Sequence, residues 1–402
     1  MDPTLSDRVN EVTKSATMAV MSRAKEMKRN GIDVIDLSAG EPDFPTPHYI
    51  KASGVQAIED DKTKYTPPAG LEELRECVAL KLKKENGLEY SSEDIIITAG
   101  AKQAVFNAAF CLFQEGHEVV IPSPFWVSYP EIVKLAGAEP VIVRGEPDND
   151  FKISVENLER HATRKTRGMI LNSPTNPSGA VYTPEELSAI GRFCAEHGMW
   201  IVSDEIYEKI VYDDETVVSI ARACPEVKDR TVVVNGLSKT MCMTGWRRGY
   251  AATKRELIEA MIRLQSHTTS CVSAISQYAA LTALRAPDEY DKALNEMVSE
   301  FDKRRRYIVE SLQEKYSLKM VYPKGAFYLF FDVSPFFGKE CDGIKVNSSI
   351  SMCNFLLEKA RVALVPGKSF GEDGYVRLSY TASVDELEEA ALRIKDALKK
   401  LQ

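Results

Sequence analysis

The sequence predicts an α/β protein, with a mainly parallel sheet covered by helices on both faces and a smaller α+β domain after it. Three observations predict this. Short runs rich in Val and Ile recur, apolar without alternation, as strands buried on both faces require. Amphipathic stretches of helical period stand between them, which makes strand–helix–strand crossovers. After about residue 255 that alternation stops, and long helices precede a few short strands. A chain of 402 residues, 44% of them hydrophobic, is long enough for a large domain and a smaller one. We expect an N-terminal arm over 1–48 that packs with the small domain, a large domain over 49–300, and the small domain over 301–402.

The elements follow in order. Ile95–Thr98 is a strand and Lys102–Phe113 a helix after it. Val119–Ile121 is a strand that leads through Pro122 and Pro124 to a helix at Tyr129–Ala136. Pro140–Val143, Gly168–Leu171, Trp200–Val202 and Thr231–Val234 continue the strand series. The helix Pro184–His197 opens on Thr183-Pro184-Glu185-Glu186, a start signal with Pro in the first turn. Beyond residue 255, Arg255–Leu284 and Asp288–Lys315 read as two long helices. Met320–Tyr322 and Ala326–Asp332 read as strands, and Asn354–Lys359 as a helix. Ala363–Val365 and Tyr375–Leu378 are further strands, and Val384–Leu401 is a closing amphipathic helix.

Composition excludes several classes. Lys plus Arg number 51 and Asp plus Glu 59, a formal charge of −8, so nothing favours a polyanionic partner such as nucleic acid. The densest basic run, Lys303–Arg306, follows Glu300 and Asp302 and reads as an exposed helix face. No stretch approaches the roughly 20 apolar residues that span a bilayer. Met1–Asn10 is polar and lacks a signal-peptide apolar region, so a cytoplasmic protein is expected. The eight cysteines are scattered without CxxC or zinc spacing and read as free thiols. The five histidines form no triad or ligand set, and no metal is expected.

The residues that can carry chemistry lie at strand ends. Lys239, in Ser238-Lys239-Thr240, comes just past the apolar run Val232–Val234 and the turn Asn235-Gly236. A buried lysine is costly unless it is paired, neutral or covalently used. Arg247 follows eight residues later and suits a phosphate. Asp204 and Tyr207 follow the strand Trp200–Val202, at the end where α/β sheets bind ligands. An acid there can keep a heterocyclic nitrogen protonated, or cap a helix. Asn172-Ser-Pro-Thr-Asn176-Pro177-Ser-Gly179 is a rigid turn that can hold Asn176 for hydrogen bonding and can contain a cis proline. Thr98-Ala-Gly100-Ala101-Lys102 passes from strand to helix through small residues, and free amides at a helix start can cradle phosphate. Trp126 offers a flat face for stacking or for core packing. Arg377, inside the apolar strand Tyr375–Leu378, must meet an anion, either a ligand carboxylate or a protein acid. Tyr65 lies on the Pro/Gly loop that ends at Gly70, and Gly40 on a strand-end turn.

Taken together these signals describe a phosphorylated, aromatic, protonatable heterocycle that forms an imine with lysine, and pyridoxal 5′-phosphate fits. The motifs carry a resemblance. They are Ala39-Gly-Glu-Pro-Asp43, Tyr65 with Gly70, Gly100-Ala-Lys102, Trp126-Val-Ser-Tyr129, Asn176-Pro177, Ser203-Asp-Glu-Ile-Tyr207, Ser238-Lys239 with Trp246-Arg247, and Arg377-Leu-Ser-Tyr380. In this order, over essentially the whole chain, the sequence resembles the fold-type I pyridoxal-phosphate-dependent class I aminotransferases, within their aspartate/prephenate branch. The resemblance implies transfer of an amino group between an amino acid and a 2-oxo acid by ping-pong chemistry.

The resemblance also implies roles. Lys239 matches the Schiff-base lysine and proton-transfer base, and Asp204 the partner of the pyridine nitrogen. Asn176 and Tyr207 match the partners of the ring oxygen. Gly100, Ala101, Lys102, Ser238 and Arg247 match the phosphate cup, and Trp126 the residue stacked on the ring. Arg377, with Gly40 and Asn176, matches the clamp on the substrate α-carboxylate. Tyr65 matches a tyrosine that reaches the phosphate of a second subunit, which implies a homodimer. Lys102 and Thr17 stand where this branch recognises a distal carboxylate, which favours aspartate and glutamate. Many members read Lys-Pro just before Ser-Ala-Thr, whereas this chain has Thr13-Lys14, a departure that counts against prephenate. A prephenate or broader-specificity aminotransferase remains an alternative, and so does a C–S lyase on the same fold.

Overall fold

The computed structural model describes residues 4–13, 16–316 and 318–402, with side chains at 7–8, 16–19 and 314–316 outside the description. A short strand β1 (Ile35–Asp36) comes first. The central sheet is built from β2 (Ile95–Thr98), β3 (Glu118–Ser123), β4 (Glu139–Arg144), β5 (Thr166–Asn172), β6 (Trp200–Asp204), β7 (Thr231–Gly236) and β8 (Gly249–Ala252). Their spatial order is β2-β8-β7-β6-β5-β3-β4. Only β8 runs antiparallel to its neighbours. The Val and Ile runs are buried throughout in β2 and β7, and helices cover both faces, as apolar runs without alternation require. Two apolar clusters separate across the sheet: Val232 and Val234 face one, while Val233 faces the other.

Later strands make a second, antiparallel sheet. It contains β9 (Met320–Val321), β10 (Tyr328–Asp332), β14 (Val365–Pro366) and β15 (Tyr375–Ser379), in the order β14-β15-β10-β9. Between them lie the hairpin β11 (Glu340–Cys341) and β12 (Ile344–Lys345), and β13 (Val362–Ala363), which pairs in parallel with β1. That pairing ties the N-terminal segment to the C-terminal part of the chain. The helix Pro184–Glu196 starts as the sequence predicts: Thr183 accepts from the amide of Glu186, and the Glu186 carboxylate accepts from that of Thr183.

Three expectations need correction. Arg255–Leu284 is two helices, Arg255–Thr268 and Ala274–Arg285. The break holds Ser270 at a left-handed φ of 61° and lets the carbonyl of Ser273 accept from the buried guanidinium of Arg248. Ala363–Val365 is not one strand, because the chain passes between sheets at the fully buried Leu364. The helix Pro287–Tyr316 runs unbroken through residue 300, so the expected boundary lies within a helix that both domains share. The run Lys303–Arg306 is not a solvated face. Arg304 is buried against Asp43, Glu300 and the carbonyl of Thr381, and Arg305 against Asp213, Asp302 and the carbonyl of Pro323. A run of four adjacent helix residues turns through a full circle, so two of these cations had to face inward.

Candidate active site

The functional side chains converge because adjacent strands end together. Asn172 at the end of β5 is the register partner of Asp204 at the end of β6, and Asp204 that of Val234 in β7. Gly249 of β8 pairs with both Thr98 of β2 and Gly236 of β7. The turns at these strand ends therefore share one edge of the sheet, the carboxyl edge of its parallel strands and the usual ligand edge of such folds. β15 closes the same space from the small sheet with Arg377. The resulting cavity has a volume of about 430 Å³ and is lined by Lys102, Trp126, Asn176, Asp204, Lys239 and Arg377, among others. Gly40, Ala101, Tyr207, Ser238 and Arg247 also line it. A larger groove of about 850 Å³, beside Arg164, Arg192 and His197, contains none of them.

Lys239 is partly buried and donates from Nζ to the carbonyl of Gly40 at 2.6 Å. Burial lowers its pKa to about 8. Glu41 opposes the shift, and Arg377 and Arg247 add to it. Asp204 lies on the cavity floor. Its Oδ2 accepts from the hydroxyl of Tyr129 at 2.8 Å and its Oδ1 from the amide of Ile206 at 3.2 Å. Burial raises its pKa to about 6, against those two donors and Lys239. The alternative of Asp204 as a helix cap falls away, since only a turn follows it.

The Asn172–Gly179 turn is held from within. Asn172 donates to the carbonyl of Asp204 and accepts from the amide of Asn176, both at 2.8 Å. The peptide bonds before Pro174 and Pro177 are both cis. Asn176 Oδ1 in turn accepts from Nη1 of Arg377 at 3.0 Å, and the carbonyl of Ser38 accepts from Nη2 at 2.8 Å. Arg377 is buried, its guanidinium lies 4.4 Å from the Tyr328 ring, and its Nε has no partner among the described residues. No carboxylate among them pairs with it. Of the two anions the sequence allowed, no described protein acid meets it, and an external carboxylate fits.

Gly100 takes a φ of 85° just before the helix Ala101–Leu112, whose first turn has no side-chain cap. A Cβ at Gly100 would strike the guanidinium of Arg247. Among the described residues that guanidinium donates only to the carbonyls of Thr244 (2.9 Å) and Ala99 (3.1 Å). Free amides, a helix N-terminus and an arginine without an acid make an anion cradle. Ser238 sits beside it, buried, with its hydroxyl 3.4 Å from the carbonyl of Arg248. The Nζ of Lys102 lies 4.8 Å from the centre of the Trp126 ring, and burial and Arg247 lower its pKa. Tyr207 shares a 2.9 Å hydrogen bond with Tyr328. Tyr65 is 91% exposed and lies away from this cavity in the single chain. The side chain of Thr17 lies outside the described residues.

Sequence reasoning missed Tyr129, Asn172 and Tyr328 as members of the site. Tyr129 carried a signal, since it opens a helix three residues after Trp126. Tyr328 carried none, because its contact partners lie on a distant segment.

A parallel sheet with a lysine, an acid, an anion cradle and a buried unpaired arginine at its carboxyl edge defines an enzyme site for an anionic ligand. The model of the family "Aminotransferase class I and II" matches residues 32–394, and the chain belongs to that family. It is 46% identical to an aspartate aminotransferase of Bacillus subtilis, over 98% of this chain and 99% of the relative. It is 46% identical to a bifunctional aspartate aminotransferase and glutamate/aspartate-prephenate aminotransferase of Petunia hybrida, over 99% and 83%. Among solved structures it resembles the aspartate aminotransferase of Thermus thermophilus with maleate. The TM-score is 0.92 and the identity 40%, over 98% of this chain and 99% of that one.

Proposed function

We propose that this chain is a pyridoxal 5′-phosphate-dependent aminotransferase that moves the amino group of aspartate or glutamate to a 2-oxo acid by a ping-pong mechanism. The observation that carries the reading is the convergence of Lys239, Asp204 and two acid-free arginines, Arg247 and Arg377, on one cavity. The relatives from B. subtilis and T. thermophilus, both named for aspartate, support it. A second reading, prephenate as amino acceptor, is favoured by the petunia relative.

The residues present fit the cofactor. Arg247, Ser238 and the amides at Gly100–Lys102 would take its phosphate, Trp126 one ring face, Asn176 and Tyr207 its ring oxygen, and Asp204 its nitrogen. When bound, the cofactor supplies an electrophilic carbon and a pyridinium ring that accepts electrons. The chain's own residues do the rest. Lys239, with a pKa of about 8, keeps a neutral fraction near pH 7, so its Nζ can act as nucleophile and as the base that takes the proton from the substrate Cα. Asp204, once beside a cationic nitrogen, is held as carboxylate and keeps that proton in place. Arg377, with Asn176 and Gly40, binds the α-carboxylate and so orients the Cα–H bond. Lys102 is assigned to the distal carboxylate of a dicarboxylic substrate, and Thr17 is assigned with it on the family resemblance alone. Trp126 and Tyr207 shield the reacting atoms from water.

We assign 1–48 as an arm packing with a small domain of 301–402, and 49–300 as the cofactor domain. The β1–β13 pairing supports the arm. The exposed Tyr65 supports a homodimer in which this side chain completes a neighbouring site. We also infer a cytoplasmic setting. No described helix is long and apolar enough to cross a membrane, and the eight cysteines are free.

Borohydride treatment of the cofactor-loaded protein, followed by peptide mapping, tests the core of the reading. The pyridoxyl group is expected on Lys239, and its recovery on another lysine refutes the assignment. Aspartate should bleach the visible band of the loaded enzyme, and oxaloacetate or prephenate should restore it. Restoration by prephenate selects the second reading.

A further inference from the structure

Both oxygens of Asp204 are occupied by donors from different elements. The amide of Ile206, in the turn that follows β6, serves Oδ1. The second donor comes from elsewhere in the chain. Tyr129 opens the helix Tyr129–Leu135, and its amide donates to the carbonyl of Trp126 at 3.0 Å. This tight turn delivers two groups at once. The Trp126 ring lines the cavity, and the Tyr129 ring meets it edge-on, with centroids 5.3 Å apart and planes at 77°. The Tyr129 hydroxyl, fully buried, reaches Asp204 Oδ2 at 2.8 Å.

We propose that Tyr129 is the positioning residue that orients the Asp204 carboxylate and holds it ionised for a protonated heterocyclic nitrogen. The proposal rests on the cofactor reading above. An ionised carboxylate has about four acceptor sites. Two are used by Ile206 and Tyr129, which fixes the carboxylate plane and leaves one free lone pair on each oxygen. The donated hydrogen bond also offsets the burial that would otherwise neutralise the acid. The charged or titratable groups that bear on Asp204 are Tyr129, Tyr207 and Lys239. Burial and Asp204 hold the Tyr129 hydroxyl well above the ordinary phenol range, so it remains a donor across the working pH. No other side chain among the described residues hydrogen-bonds to the Asp204 carboxylate, and a phenylalanine at this position would keep the ring contact with Trp126 while removing only the donor.

The test measures affinity rather than turnover. Apoenzyme is titrated with pyridoxal 5′-phosphate and with its carbocyclic analogue, in which the ring nitrogen is replaced by C–H. Wild type should prefer the nitrogen-containing cofactor, because only that one can use Asp204. Tyr129→Phe should shrink this preference about tenfold, the range of one hydrogen bond to a charged group, and should leave the affinity for the analogue nearly unchanged. In an Asp204→Asn background the same substitution should change the preference little. Replacing Tyr129 by 3-fluorotyrosine, which keeps the ring and donates more strongly, should widen the preference and covers the case of a Tyr129→Phe chain that does not fold. An unchanged preference in Tyr129→Phe, or equal loss of both ligands, overturns the role of Tyr129 while Asp204 keeps its own. A wild type that binds both ligands equally overturns the Asp204 reading itself, and the proposal with it.

Discussion

Arg377 and Asn176 stand 201 residues apart in sequence and share a 3.0 Å hydrogen bond, Nη1 to Oδ1. The bond joins the small sheet to the turn that leaves β5, and with the carbonyl of Ser38 it satisfies part of a buried guanidinium that no acid among the described residues neutralises. The remaining valence, at Nε, is open. Arg377→Ala should therefore lower kcat/KM for every amino acid alike, by about ten- to a hundredfold, because each has an α-carboxylate.

Lys102 should behave differently. Its ammonium lies over Trp126 at the cavity, so it can meet only a substrate with a second carboxylate. Lys102→Ser should lower kcat/KM for aspartate and glutamate about ten- to a hundredfold and spare alanine. Steady-state kinetics with the three amino acids separates the two roles. Equal losses for aspartate and alanine would mean that Lys102 serves only the phosphate cradle.

Asp204→Ala should bind the cofactor more weakly and lose about 10²–10³-fold in turnover even at saturating cofactor, the range seen when one charge-stabilising group is removed. Near-wild-type turnover would refute its role at the ring nitrogen.

The depressed pKa of Lys239 has a consequence for the apoenzyme. Its value of about 8 in the folded chain lies below the ordinary 10.5. Between these values the folded state holds fewer protons than the unfolded state, so stability rises with pH across that window. Below it, wild type carries the cost of a buried ammonium, which Lys239→Met removes. The variant should be about 2 kcal/mol more stable at pH 7, a value discounted for partial solvent screening, and the two chains should converge above pH 10.5. Urea unfolding at both pH values checks this, and an advantage independent of pH would leave packing as its only source.

The exposure of Tyr65, 91%, predicts a site shared between subunits. Mixing inactive Tyr65→Ala and Lys239→Ala chains should restore about a quarter of the wild-type activity, because half of the dimers formed at random are hybrids and each has one intact site. A protein that sediments as a monomer at assay concentration would end this idea.

The sequence by itself determined the strand ends that carry Asp204, Lys239 and Gly100. Short uninterrupted Val and Ile runs bounded by turn residues suit strands covered on both faces, and the polar residues just past them then fall at the sheet edge. The anion requirement of Arg377 was also legible, because a charge inside an apolar strand is expensive anywhere. Periodicity could not show where the helix beyond residue 255 breaks, since the apolar rhythm resumes across Ser270 and the break depends on Arg248, which is distant in sequence. The same holds for Arg304 and Arg305. Their inward orientation is decided by Asp43 and Asp213, supplied by segments that only folding brings near. That no described acid meets Arg377, and that Tyr129 rather than a nearer residue holds Asp204, were decided by tertiary structure. Hydrogen bonds across long stretches of chain depend on how separate elements pack, and a local pattern carries no record of that geometry.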